Sequence, residues 1–293
     1  MSDPDLSLHE AAELLGVHYM TAYRYVRLGL LPATKSGGSW QVARADLDAF
    51  RAAGDGGGGA GGSSKGADNA GEAVGRRRAP WADRLESRLV AGDGRGAWGV
   101  IEAALAAGAE IDEVYLDIIS PAMRSIGARW EAGELDVSVE HRATGIAFRL
   151  LGRLGPRFVR RGRTRGVIVL GTPRGEHHSL PVAMVADLLR GDGWEVSDLG
   201  ADLPTESFVV AVQATESLVA VGVSVTSTDN LEAAAELIAA LRLVLANDVL
   251  IVVGGHAVAD ADHAVALGAD SWASSARDFV AQMNTGADRH RTA

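Results

Sequence analysis

Glu176 and His178 stand two residues apart within residues 171–181, Gly-Thr-Pro-Arg-Gly-Glu-His-His-Ser-Leu-Pro, directly after the apolar run Val167-Ile168-Val169-Leu170. An imidazole is the commonest side-chain metal ligand, and a carboxylate reaching its second nitrogen fixes both tautomer and ring orientation. The pair is therefore suited to holding a metal-bearing cofactor from one axial side. A loop histidine is also ordinary surface, so the setting decides its weight. Apolar run before and amphipathic stretch after make this a strand-to-helix loop, the place where open parallel sheets bind ligands. A zinc site from the same pair is disfavoured, because adjacent loop positions rarely converge on one metal.

The elements that must position this loop follow from hydrophobic spacing. Apolar strands at 167–171, 195–199, 219–224 and 249–254 alternate with helical segments at 180–191, 205–216, 230–245 and 260–266. This alternation predicts a doubly wound, Rossmann-like parallel sheet over residues 163–283. Its strand-end loops carry Glu176/His178, Asp198-Leu199-Gly200, Ser224/Thr226 and Gly254-Gly255. Residues 284–293, rich in Arg, Asp and Thr, read as a disordered tail. Upstream, residues 79–162 repeat apolar side chains at helical spacing, as in Trp81, Leu85, Leu89 and Ile146, Leu150, Leu154. Four helices fit there as a bundle.

Residues 54–78 are dominated by Gly, Ala and Ser and read as a flexible linker, closed by Arg76-Arg77-Arg78. That triplet suits a solvated charge run or a DNA-backbone clamp. Before the linker, residues 1–53 form a small domain. Ser7 with Glu10 three residues on makes a capping box for a first helix reaching Leu15. Gly16-Val17 turns the chain, a second helix covers about His18 to Leu28, and Gly29 ends it. That is helix-turn-helix spacing. Trp40-Gln41-Val42 suggests a strand and Asp46 to Phe50 a further helix, giving a winged module.

Composition narrows the function classes. At 293 residues and 47% hydrophobic, the chain can bury more than one core. No apolar run approaches the roughly 18 residues needed to span a bilayer, and the start lacks a basic signal, so no membrane role and a cytoplasmic location are expected. Absence of cysteine removes disulfides and thiolate ligands. Net charge of −10 looks wrong for a nucleic-acid binder, but the total does not locate the positive charges. No Ser-His-Asp set, phosphate loop or paired catalytic carboxylates emerge, so no enzyme is expected.

Taken in order, Glu176-x-His178, Ser224-x-Thr226 and Gly254-Gly255 resemble the cobalamin-binding domain of methionine synthase and its relatives. The resemblance implies that His178 coordinates cobalt and that Glu176 bonds its other nitrogen. It also implies that Ser224 and Thr226 line the slot for the nucleotide tail, which Gly254 and Gly255 let backbone approach. Where the family has a glycine three residues after the histidine, this chain has Pro181. In the helical segment, Trp130 followed by Glu140-His141 resembles the cap of adenosylcobalamin-dependent photoreceptor repressors of the CarH type. That likeness implies Trp130 over the upper corrin face and Glu140 and His141 against the adenosyl group. A lone tryptophan near a helix end also packs a core. Glu131 follows Trp130 where light-sensing members can carry a histidine.

Ala11-Ala12-Glu13-Leu14-Leu15-Gly16-Val17 and Gly29-Leu30-Leu31-Pro32, with Asp46-Leu47, resemble the DNA-binding domain of MerR and excisionase-like families. Ala22, Val26 and Tyr25 then face the core, leaving His18, Tyr19, Tyr23, Arg24 and Arg27 for a major groove, with Lys35 and Arg44 on phosphates. Residues 1–50 carry four Lys/Arg against six Asp/Glu, so one copy makes few phosphate contacts and useful affinity needs an oligomer. Together the resemblances imply a cobalamin-responsive, light-responsive transcriptional repressor, with adenosylcobalamin, promoter DNA and a homo-tetramer as cofactor and partners. Two alternatives stay open: a corrinoid methyl carrier, and a regulator whose degenerate or differently liganded cobalamin domain serves assembly.

Overall fold

The structure, a computed structural model, describes residues 6–15, 22–23, 25–26, 31–36, 39–54, 80–160 and 162–291. The linker reading therefore falls outside the described residues but for Gly54, as do His18, Tyr19, Arg24 and Arg27. Two compact units divide the chain, residues 1–80 with 125–141 and residues 81–124 with 142–293.

In the first unit, β1 (Leu6–Ser7) runs into α1 (Leu8–Leu15), followed by β2 (Thr34–Ser36), β3 (Ser39–Val42) and α2 (Arg44–Gly54). Ser7 and Glu10 cap α1 reciprocally: the Ser7 amide donates to Glu10 at 2.8 Å, and the Glu10 amide donates to Ser7 Oγ at 3.3 Å. β1 and β2 both pair antiparallel with β3, an arrangement of which sequence spacing predicted one strand. Leu8, Ala11, Ala12, Ala22, Val26, Leu31, Val42 and Leu47 make a small buried core.

Four helical stretches follow: α3 (Trp81–Val90), α4 (Gly94–Ala106), a continuous run α5 from Ile111 to Glu131, and α6 (Val137–Leu154). The number matches the sequence reading, and residues 125–141 fall with the amino-terminal unit. A run as long as α5 extends about 30 Å, enough to begin in one unit and end in the other. Within α5, Val114–Ile119 winds as a π-helix and buries Val114, Tyr115, Ile118 and Ile119. Asp136 opens α6 by accepting the Ser138 amide at 2.8 Å.

The sheet contains β4 (Val167–Gly171), β5 (Glu195–Asp198), β6 (Leu218–Ser224), β7 (Leu250–Gly254) and β8 (Ser271–Ala273), all parallel, in the order β5-β4-β6-β7-β8. Its helices are α7 (Ser179–Gly191), α8 (Thr205–Gln213), α9 (Leu231–Arg242), α10 (Ala261–Ala266) and α11 (Ala276–Arg291). Both faces are covered, which is why the strands read as continuous apolar runs. Val169, Val221, Val223, Ile251 and Val253 pack on Phe208, Leu237, Ile238 and Leu241, while Ile168, Leu170, Ala220 and Val252 pack on Val182, Leu189, Phe279 and Met283.

β8 adds a fifth strand to the four that hydrophobic spacing marked within 163–283, and α11 carries helix through residue 291, where the sequence reading placed a disordered tail at 284–293. α11 continues to Arg291 because Asn284 is anchored: it accepts from Arg165 at 2.6 Å and donates to Asp192 at 2.5 Å. No described helix is long and apolar enough to cross a membrane.

Candidate functional site

In an open parallel sheet the ligand crevice lies beyond the carboxyl ends of the strands, where the strand order reverses. Here that point lies between β4 and β6, and Glu176 joins the two loops there. Its carboxylate is fully buried. One oxygen accepts the His178 amide at 3.1 Å and bonds the His178 Nδ1. The other accepts the amides of Thr226 at 2.7 Å and Ser227 at 2.9 Å and the Asn230 side-chain amide at 3.2 Å. Burial alone would raise the Glu176 pKa, but the His178 imidazole and the Ser227 and Thr226 amides outweigh it and hold the carboxyl at about 2. Glu176 is thus an anion built into the fold, and its charge directs the imidazole.

Thr172, fully buried just past β4, donates to the Glu176 carbonyl at 2.6 Å, and the loop after β5 braces the same turn through Asp202, which accepts the Gly175 amide at 2.7 Å. Asp202 does this from a left-handed backbone at φ 57°, a conformation that asparagine and aspartate tolerate best after glycine. The His178 side chain is 51% exposed beside this rigid support. With Nδ1 held by a carboxylate, Nε2 is the nitrogen suited to a metal. Among the described residues no group of three or more His, Asp or Glu converges to hold a bare metal ion.

The remaining predicted positions fall as follows. Ser224 ends β6 in register with Gly254, and Thr226 lies on the loop beyond it, its amide committed to Glu176. Gly255 has φ +105°, and a Cβ there would lie 2.3 Å from the Val225 carbonyl oxygen; one on Gly254 would lie 2.9 Å from the Ala273 carbonyl oxygen. Both glycines are therefore required by the protein's own backbone, a reason the sequence did not show. Pro181 is an exposed third residue of α7, where the absent N–H breaks no helical bond. Sequence reasoning missed Thr172, Asp202, Ser227 and Asn230, whose roles arise only where separate loops meet.

Trp130, Glu140 and His141 belong to the other unit. The Trp130 indole N–H is buried with no hydrogen-bond partner among the described residues, as is that of Trp272 on β8. Glu140 bonds His141 Nδ1 at 2.6 Å, a second carboxylate–imidazole pair, with the His141 side chain 60% exposed. Of the predicted DNA contacts, Tyr23 is partly buried against the small core. The short domain has few apolar residues, and the ring adds to its core. Tyr25 packs against the small core as expected, its ring tilted against Phe50 at 4.8 Å between centroids. Lys35 pairs in register with Trp40, and Arg44 is partly exposed, 3.6 Å from Asp48.

Family models described as B12 binding domains match residues 81–154 and 166–280, and a helix-turn-helix domain model matches residues 6–55. A dimethylamine corrinoid protein of Methanosarcina barkeri is 30% identical over 178 residues, covering 59% of this chain and 82% of that one. The chain belongs to the B12-binding corrinoid protein family. A second corrinoid relative, dimethylamine corrinoid protein 3 of Methanosarcina acetivorans, is 30% identical over 191 residues, covering 62% of this chain and 87% of the relative. The monomethylamine corrinoid protein of Methanosarcina barkeri shares the corrinoid-protein fold, with a TM-score of 0.59 at 24% identity over 70% of this chain and 96% of that one. Its cofactor is accordingly a cobalamin or related corrinoid, carried by a helical segment and a parallel-sheet domain, and this corrinoid protein also bears a helix-turn-helix motif.

Proposed function

We propose that this corrinoid protein is a transcriptional regulator of the CarH type, a repressor whose oligomerisation and promoter binding are controlled by adenosylcobalamin. The observation that carries the reading is the joining, in one chain, of a helix-turn-helix match at 6–55 to B12-binding matches at 81–154 and 166–280. Methyl carriage has no use for a groove-reading helix. His178 would hold cobalt through Nε2 while Glu176 keeps the Nδ1 proton in place. Trp130, Glu140 and His141 would meet the upper face and adenosyl group, and Ser224, Thr226, Gly254 and Gly255 would border the nucleotide tail. When bound, the cofactor supplies a cobalt–carbon bond that light breaks. The winged module would read the promoter with His18, Tyr19, Arg24 and Arg27, supported on phosphates by Lys35 and Arg44. On this reading the protein is a cytoplasmic sensor rather than an enzyme, acting as a tetramer in the dark.

The test is a gel-shift titration on promoter DNA with and without adenosylcobalamin, in darkness and after illumination, alongside the absorption spectrum. Cofactor-dependent binding that light abolishes is expected. Lack of a corrinoid spectrum after mixing would sink the reading, and identical DNA binding in every condition would leave the cobalamin domain an assembly module. The similarity to dimethylamine corrinoid proteins favours a second reading, a corrinoid methyl carrier. Methyl transfer from methylcobalamin-loaded protein to an acceptor, without cofactor-dependent DNA binding, would select it.

A further inference from the structure

From residue 141 to residue 175 the chain carries nine arginines and no aspartate or glutamate. In a protein with 38 acidic residues and a net charge of −10, this stretch concentrates positive charge that the total conceals. The structure divides these arginines by what they do. Arg142 donates to the Val90 carbonyl at 2.8 Å, and Arg165 bonds Asn284 and stacks over Trp194 at 4.9 Å, so both serve the fold.

Six others are exposed; Arg174 lies apart in the loop after β4, and the other five follow one another from α6 toward β4. Arg149 and Arg153 lie one turn apart on α6, and Arg157 continues the four-residue spacing into the 3-10 turn Gly155–Arg157. Arg160 and Arg163 follow on the segment leading to β4. Phe158, buried against Tyr115 at 4.8 Å between centroids, pins this segment between them. Arg153 stacks on Trp98 at 4.5 Å, which holds its guanidinium while leaving the in-plane N–H donors available. None of the five has an ion-pair partner among the described residues.

A row of unpaired guanidiniums with no acidic neighbour in sequence suits a polyanion, because each can bond phosphate oxygens in a fork. The amino-terminal module has the opposite deficiency, four Lys/Arg against six Asp/Glu over residues 1–50. Duplex binding draws its affinity largely from neutralised phosphates, so the missing charge must come from elsewhere in the chain. We propose that Arg149, Arg153, Arg157, Arg160 and Arg163 form a second DNA contact, a sequence-independent strip that takes the phosphate backbone while the helix-turn-helix module reads bases. This rests on the DNA-binding reading above.

The experiment compares the full chain with a quintuple variant, R149Q/R153Q/R157Q/R160Q/R163Q, on labelled mixed-sequence duplex DNA between 50 and 200 mM KCl, with adenosylcobalamin in the dark. The plot of log affinity against log salt is expected to lose about 0.9 of slope for each phosphate contact removed. Because three of the positions lie in helical turns, the pair R160Q/R163Q, which substitutes only the connecting segment, is measured in parallel and is expected to lose up to about 1.8 of slope. Unchanged slopes in both variants overturn the strip and leave the DNA-binding reading standing. Unchanged slopes with a smaller species in sedimentation also overturn it and assign the arginines to a second, acidic copy of the chain. A wild-type protein that binds no duplex in any cofactor state overturns the DNA-binding reading and the strip with it.

Discussion

Glu176 serves two ends with its two oxygens, so substitutions there separate packing from ligand chemistry. In Glu176→Gln, an amide group must face at least two donors, either the His178 pair or those of Thr226, Ser227 and Asn230. The expected cost is about 2–3 kcal/mol, read from the urea midpoint, with a 10–100-fold loss of corrinoid affinity. His178→Ala removes one of the groups that hold the buried Glu176 carboxylate, so it is expected to cost about 1–3 kcal/mol and to abolish the imidazole-ligated absorption spectrum. Acid unfolding of the cofactor-free protein supplies a further check. The Glu176 carboxyl is depressed from 4.5 to about 2 on folding, so its stabilisation is complete above 4.5 and is lost as pH falls toward 2. The Gln variant is expected to lose less stability than wild type across that window.

At the scale of elements, two junctions tie segments of the sheet domain together and a third ties it to α5. The Gly254-Gly255 turn wraps the loop after β6, with the Ala257 amide donating to the Val225 carbonyl at 3.1 Å and the Val225 amide to Gly254 at 2.8 Å. Gly255→Ala meets both the left-handed φ and the 2.3 Å approach, and should destabilise by roughly 2–3 kcal/mol in thermal or urea unfolding. The π-helical turn in α5 aims the buried Tyr115 hydroxyl at Asp187 on α7, to which it donates at 2.8 Å. Burial and the Asp187 carboxylate both push the Tyr115 pKa upward, so the phenol stays a donor. Tyr115→Phe is expected to cost about 1–2 kcal/mol in the same measurement. At the far end, Asn284→Ala removes the contacts that extend α11, and faster amide exchange is expected beyond residue 284.

For the whole molecule, cofactor binding and stability are linked. Cobalamin that binds only the folded chain should add about 2.7 kcal/mol at 100 times its dissociation constant, visible as a raised melting temperature. Under the proposed function, illumination of the adenosylcobalamin-loaded protein should reverse the oligomerisation seen in sedimentation. A melting temperature unmoved by saturating cofactor would count against the Glu176–His178 site.

Much of this architecture was legible in the chain. Parallel strands buried on both faces need unbroken apolar runs, so 167–171 and 250–254 announced themselves, and Ser7 with Glu10 marked a helix start by local chemistry alone. Glu176 and His178 were legible for the same reason, being close in sequence. The arginine-rich, acid-free stretch from 141 to 175 was equally visible in the sequence, but only the structure separated committed guanidiniums from exposed ones. Tertiary structure also decided what depends on distant segments meeting: the edge strand β8, the run of α11 to Arg291, and the backbone need for Gly254 and Gly255. The strand order β5-β4-β6 brought the amides of Thr226 and Ser227 to Glu176, 50 and 51 residues away in the chain. Local spacing sets propensity and periodicity, whereas a buried carboxylate is stable only once folding delivers the donors that surround it.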